Sequence, residues 1–233
     1  MELSAREEIM ARLKEIPKAA VAARPHMPPL RELTLSREEM ITKFIEELVL
    51  QEAIVHRVKN NDEVLTKLSE IATSEGLKYV IFSTDEIIAP LGLAAWGKER
   101  GITVRTSSEF PGREAFKKAV FQEADAGITG ADYAVAESGT LGIIHDKNQP
   151  RLLSLAPILH IAIVPVARMV ATYEHVTEVV YGDKKHIPPH FTFTTGPSMT
   201  ADIKATPFKG MHGPRRLIVI LIGESEGSTP TGG

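Results

Sequence analysis

The 233-residue sequence contains no cysteine. That absence excludes disulfides, thiol nucleophiles, cysteine zinc sites and cysteine-ligated iron–sulfur clusters from this chain. Excess charge of one sign is also missing: a net charge of -3 gives no general reason to expect nucleic acid or an anionic membrane as partner. The longest apolar runs, such as LIVILI at Leu217–Ile222, are far too short to span a bilayer. The stretch MELSAREEIMARLKEI alternates charge with apolar residues and lacks the apolar core of a signal peptide, so the expected location is the cytoplasm. There is no HExxH, GxGxxG, Walker or GxSxG pattern. His145, His160, His175, His186 and His190 share no metal-ligand spacing, so no metal is expected, and His160 in ILHIAIV reads as packed in or beside a strand.

What is present is an ordinary soluble composition, 43% apolar and 24% charged. Ser4 and Glu7, and again Ser36 and Glu39, have capping-box spacing ahead of apolar helical stripes. A third helix is expected from Asn61 to a terminal Gly76. Pro17 ends the first helix, and ARPHMPPL should be extended. Residues 1–76 therefore read as a helical N-terminal lead-in, packed on or appended to the main domain.

From Lys78 the pattern changes. YVIF, ITV, AGIT, HIAIVPV, HFTFTT and LIVILI are short apolar or β-branched runs, several separated by helical stretches at Leu93–Arg100, Arg113–Gln122 and Ala167–Tyr181. This alternation predicts an α/β domain over 77–222, with a mostly parallel sheet flanked by helices. Residues 223–233, GESEGSTPTGG, have no apolar anchor and read as a disordered tail. Sites in such sheets usually lie beyond the strands' C-terminal ends, which directs attention to GADYAVAESGT, TTGPSMTAD and GMHGPRR.

In the first of these loops Gly130 and Gly139 permit tight turns, Asp132 can cap a turn, and Glu137, Ser138 and Thr140 supply a carboxylate and two hydroxyls. Such a carboxylate can be a base, a nucleophile or an acceptor, but more commonly it satisfies turn amides. In the second, a strand runs into Gly196 and Pro197. Ser198 or Thr200 then caps a short helix whose amides suit an anion, unless Asp202 satisfies them. The third offers His212 for proton exchange, Gly213 for a tight turn, and Arg215 for a carboxylate; Arg216 reads as solvated.

Three separated motifs, GITGADYAVAESGTLGI, LLSLAPILHIAIVP and FTTGPSMTADI…GMHGPRRLIVIL, together resemble the lactate-utilisation protein C family, built on the LUD domain. The likeness runs over roughly residues 78–222 and keeps the motifs' order. Lys204 departs from the acidic residue expected there in many relatives. The resemblance implies a fold like that of the NagB/RpiA/CoA-transferase superfamily. It also implies a role in oxidising L-lactate to pyruvate with partner proteins, at least one carrying iron–sulfur clusters, and no cofactor on this chain. It points to Glu137, Ser138, Gly139 and Thr140, then Gly196–Ser198, Thr200 and Asp202, then His212 and Gly213. With that agreement Glu137 shifts from turn residue toward site residue, alongside His212 as a catalytic candidate. Two other readings compete: a free-standing enzyme using Glu137 on a phosphorylated sugar, acyl-CoA or related small anion, and a ligand-sensing module.

Overall fold

The computed structural model describes residues 5–15, 33–183, 187–201 and 207–223. ARPHMPPL, the tail beyond Gly223 and the cap residue Ser4 lie outside them, as does Asp202. The chain divides into two units, 1–31 and 32–233. In the first, α1 spans Ala5–Glu15 and buries none of its residues.

In the second unit, Ser36 and Glu39 form the expected reciprocal capping box at the start of α2 (Arg37–Leu50). Asn60 caps α3 (Asn61–Glu75), and Gly76 ends it in the left-handed conformation that glycine adopts without steric penalty. Between these helices lies β1 (Ile54–Val58), a strand in a region whose sequence reads as entirely helical. It forms because IVHRV pairs in register with the apolar β12 (Arg216–Ile222).

Six strands make one parallel sheet in the order β1-β12-β7-β4-β2-β3, where β2 is Tyr79–Phe82, β3 Thr103–Thr106, β4 Ala126–Gly130 and β7 Leu159–Pro165. Side chains alternate between its faces, and both faces are covered. Ile161 and Ile163 pack with Val64 and Leu68 of α3 and with Trp96 of α4 (Leu93–Arg100). Ala162 and Val164 pack the opposite way, with Ile41, Phe44 and Leu48 of α2 and with Leu141 and Ile143. Elsewhere Ile81 and Leu153 join Phe116 and Val120 of α5 (Arg113–Gln122), beside the short α6 (Leu152–Leu155).

Leu141 and Ile143 belong to a second, mixed sheet ordered β8-β5-β6-β9: Met169–Val170, Tyr133–Val135, Thr140–His145 and His190–Thr194. Against its outer side, Val176 and Val180 of α7 (Tyr173–Gly182) pack on Val135 and Phe191. The helix expected over Ala167–Tyr181 thus starts only at Tyr173, since Met169 and Val170 pair with β5 instead. Among the described residues no helix follows Gly196-Pro197 either. Met199–Ala201 forms β10, antiparallel to β11 (Pro207–Lys209). Ser198 is held by its own backbone: its N–H donates to Pro214 and its carbonyl accepts from Gly210. Those long-range bonds override the local helix-start signal. Among the described residues no helix is long and apolar enough to cross a membrane.

Candidate functional site

The alternation of β9 builds one wall of a cleft. His190, Thr192 and Thr194 stand opposite His145, Ile143 and Leu141, so they share the face that looks toward the parallel sheet. Phe191 and Phe193 point the other way; Phe193 meets Tyr173 edge-on at 4.9 Å and Phe191 meets Tyr181 at 6.4 Å. An aromatic row thus faces α7 while a threonine row faces inward. Where that row meets the starts of β7 and β12, a cleft of about 380 Å³ opens. Thr192, Thr194, Ser154 and His160 supply polar lining, and Leu155 and Leu217 supply apolar lining. The loops Gly196–Met199 and His212–Pro214 close its sides. The site therefore lies at the N-terminal ends of β7 and β12, not beyond C-terminal ends as the fold class suggests. GMHGPRR opens there because it precedes β12.

Two buried histidines underlie this cleft. His160 is wholly buried, and its Nε2 lies 2.9 Å from Thr129 Oγ1 on the adjacent β4. Burial, with a smaller contribution from His145, pushes its pKa down to about 3. His145 is also buried and bonds Thr192 Oγ1 through Nε2 at 2.9 Å. Its pKa is lowered, chiefly by burial, with the Gln149 backbone acting in the opposite direction. Neither Nδ1 has a hydrogen-bond partner of good geometry. For His145 the Gln149 backbone is a nearby but imperfect acceptor. Both rings are neutral near pH 7.

The sequence-predicted residues separate into groups. Gly196, Pro197, Ser198, His212 and Gly213 converge on the cleft. Glu137 does not line it: its Oε1 accepts the backbone N–H of Tyr173, the first residue of α7, at 2.8 Å. A carboxylate there meets an orphan amide and the positive end of the helix dipole. Thr140 Oγ1 joins the two regions. It lies 2.9 Å from Ser138 Oγ, 2.6 Å from the Tyr173 hydroxyl and 2.9 Å from Thr195 Oγ1, and Thr195 lines the cleft. Gly139 has φ 62°, and a Cβ there would sit 2.5 Å from the Leu48 nitrogen.

Gly130 and Asp132 sit at the opposite end of β4. The Gly130 N–H donates to Asp85. Asp132 accepts from Ile144 N at 2.7 Å and from Gln149 Nε2 at 3.3 Å, so it ties strands together instead of capping its own turn. Burial raises its pKa despite the Ile144 bond. Thr200 lies in β10 opposite Phe208, and exposed Arg215 is outside the cleft lining. Arg216, read as solvated, pairs with Glu75.

His160 is packed in a strand as its sequence suggests, but the sequence did not mark it, His145, Thr129 or Thr192 as site residues. Their available signals were a histidine interrupting ILHIAIV and the alternating threonines of HFTFTT. Chemically the cleft offers neutral imidazole, hydroxyls and the imidazole of His212, and no lysine or arginine among its described lining residues. No group of three metal-ligating side chains occurs among the described residues.

The LUD domain family matches residues 41–222. The chain is 30% identical over 194 residues to lactate utilization protein C 1 of Bacillus mycoides, covering 81% of both chains. It is 30% identical over 223 residues to lactate utilization protein C of Deinococcus radiodurans, covering 94% of this chain and 98% of that one. The crystal structure of a DUF162 family protein from Deinococcus radiodurans aligns with a TM-score of 0.61 and 26% identity, over 82% of this chain and 100% of the other.

Proposed function

Because this chain belongs to the LUD domain family, we propose that it acts in lactate utilisation, as a subunit supporting oxidation of L-lactate to pyruvate with iron–sulfur partner proteins. The near-full-length likeness to the Deinococcus radiodurans protein named for lactate utilisation carries this reading. Oxidation of a 2-hydroxy acid to a 2-oxo acid releases two electrons and two protons. The chain has no cysteine, so it supplies no thiolate ligand for a cluster, and the electrons pass to partners. Its contribution is the cleft: a shaped, oxygen-lined space with His212 at hand to exchange a proton.

Co-expression of the tagged chain with iron–sulfur proteins of a lactate-utilisation system tests the subunit role. The expected result is co-purification of a complex that retains its clusters. Failure to associate under conditions where those proteins still oxidise lactate would remove it.

A further inference from the structure

Among the described residues, His160 combines three properties rarely found together. The residue lines the cleft, it is fully buried, and its Nδ1 has no hydrogen-bond partner. A buried polar atom left without a partner is costly, commonly about 1–3 kcal/mol, so such an atom at a cleft marks a place for a ligand's polar group. The other ring nitrogen is already held by Thr129, which fixes the imidazole's orientation.

The surrounding chemistry narrows the ligand. Described lining residues include no lysine or arginine, so several negative charges find no matching cations here. His160 itself is neutral, and His212 adds a second imidazole to the lining. Leu155 and Leu217 offer an apolar wall, while Thr192, Thr194 and Ser198 offer hydroxyls. A volume of about 380 Å³ is ample for a small molecule.

We propose that the cleft floor is a recognition site for the 2-oxygen of a small monocarboxylate, the hydroxyl of a 2-hydroxy acid or the carbonyl of its 2-oxo product, with His160 Nδ1 as the group that reads it. The choice of acid rests on the lactate-utilisation reading; the requirement for an uncharged oxygen and few negative charges rests on the cleft alone. A hydroxyl completes Nδ1 in either ring tautomer because it both donates and accepts. A carbonyl completes only a protonated Nδ1. His145 acts one step away as a positioning residue, orienting the Thr192 hydroxyl that lines the same space.

The test is nitrogen NMR of the full chain carrying 15N-histidine, titrated with L-lactate, pyruvate, acetate and ribose 5-phosphate. L-Lactate and pyruvate should move the His160 Nδ1 resonance, while acetate, which lacks the 2-oxygen, should leave it in place. Ribose 5-phosphate should not compete with lactate. In His160→Gln, lactate binding should weaken by about tenfold with the far-ultraviolet spectrum unchanged. The wild-type titration stands even if that variant does not fold. Unmoved His160 resonances with every acid, equal shifts with acetate, or tight competition by ribose 5-phosphate would overturn the assignment. A complex that oxidises lactate while His160 stays unperturbed sinks this inference and leaves the subunit reading intact. Lactate-induced shifts on a chain that joins no complex do the reverse.

Discussion

The Glu137 carboxylate accepts the Tyr173 backbone N–H at 2.8 Å, so the acid in the ESGT loop secures the first turn of α7. Glu137→Ala should therefore lower unfolding free energy by about 1–2 kcal/mol, the usual cost of losing a side-chain cap, measured by urea denaturation. Glu137→Gln keeps an acceptor oxygen and should lose no more than about 1 kcal/mol. If Glu137→Gln folds normally yet abolishes turnover, the carboxylate does chemistry beyond holding the helix.

Gly139 cannot be replaced cheaply. Its φ of 62° disfavours a side chain, and a Cβ would press on the α2 backbone at Leu48. Gly139→Ala should cost about 2–5 kcal/mol, combining left-handed strain with overpacking, and should appear as a large drop in the denaturation midpoint.

The threonine partners of the buried histidines are a third point of sensitivity. Thr129→Val retains shape but strips His160 Nε2 of its partner, leaving both ring nitrogens unpaired. A loss of about 1–3 kcal/mol is expected by chemical denaturation. A neutral outcome would mean that the Thr129 bond contributes little to holding β4 against β7.

Stability should fall on acidification below about pH 6.5. His160 has a folded pKa of about 3, below its ordinary value of 6.5, and His145 is shifted the same way. Protons then bind the unfolded chain preferentially, so stability is full above the unfolded value and declines as pH drops toward the folded one. His160 alone contributes a slope of about 1.4 kcal/mol per pH unit once its unfolded form is protonated. Asp132, raised by burial, opposes this by taking up a proton in the folded state as pH falls toward 3.8. Urea midpoints between pH 7.5 and 5 should decline, and His160→Gln should flatten the decline.

The parallel sheet was legible because its central strands β4, β7 and β12 are buried on both faces and read as apolar runs. Helices α2 and α3 announced themselves through their caps. By contrast, β1 carries His56 and Arg57 between two helices, and only pairing with β12 makes it a strand. Ser198 and Thr200 look like helix caps after Gly-Pro, but pairing of Met199–Ala201 with Pro207–Lys209 is a tertiary choice. The loop motifs did lead to Gly196–Ser198 and His212–Gly213. The cleft floor was hidden for a different reason: His160 becomes distinctive only when sheet register sets it beside Thr129, and His145 only when β9 brings Thr192 to it.

Lactate-dependent reduction of an artificial electron acceptor by the purified iron–sulfur partners, with and without this chain, is the most direct measurement. Reduction should require the chain and yield one pyruvate per two electrons transferred. Full lactate-dependent reduction in its absence, unchanged on adding it back, would contradict the proposed role.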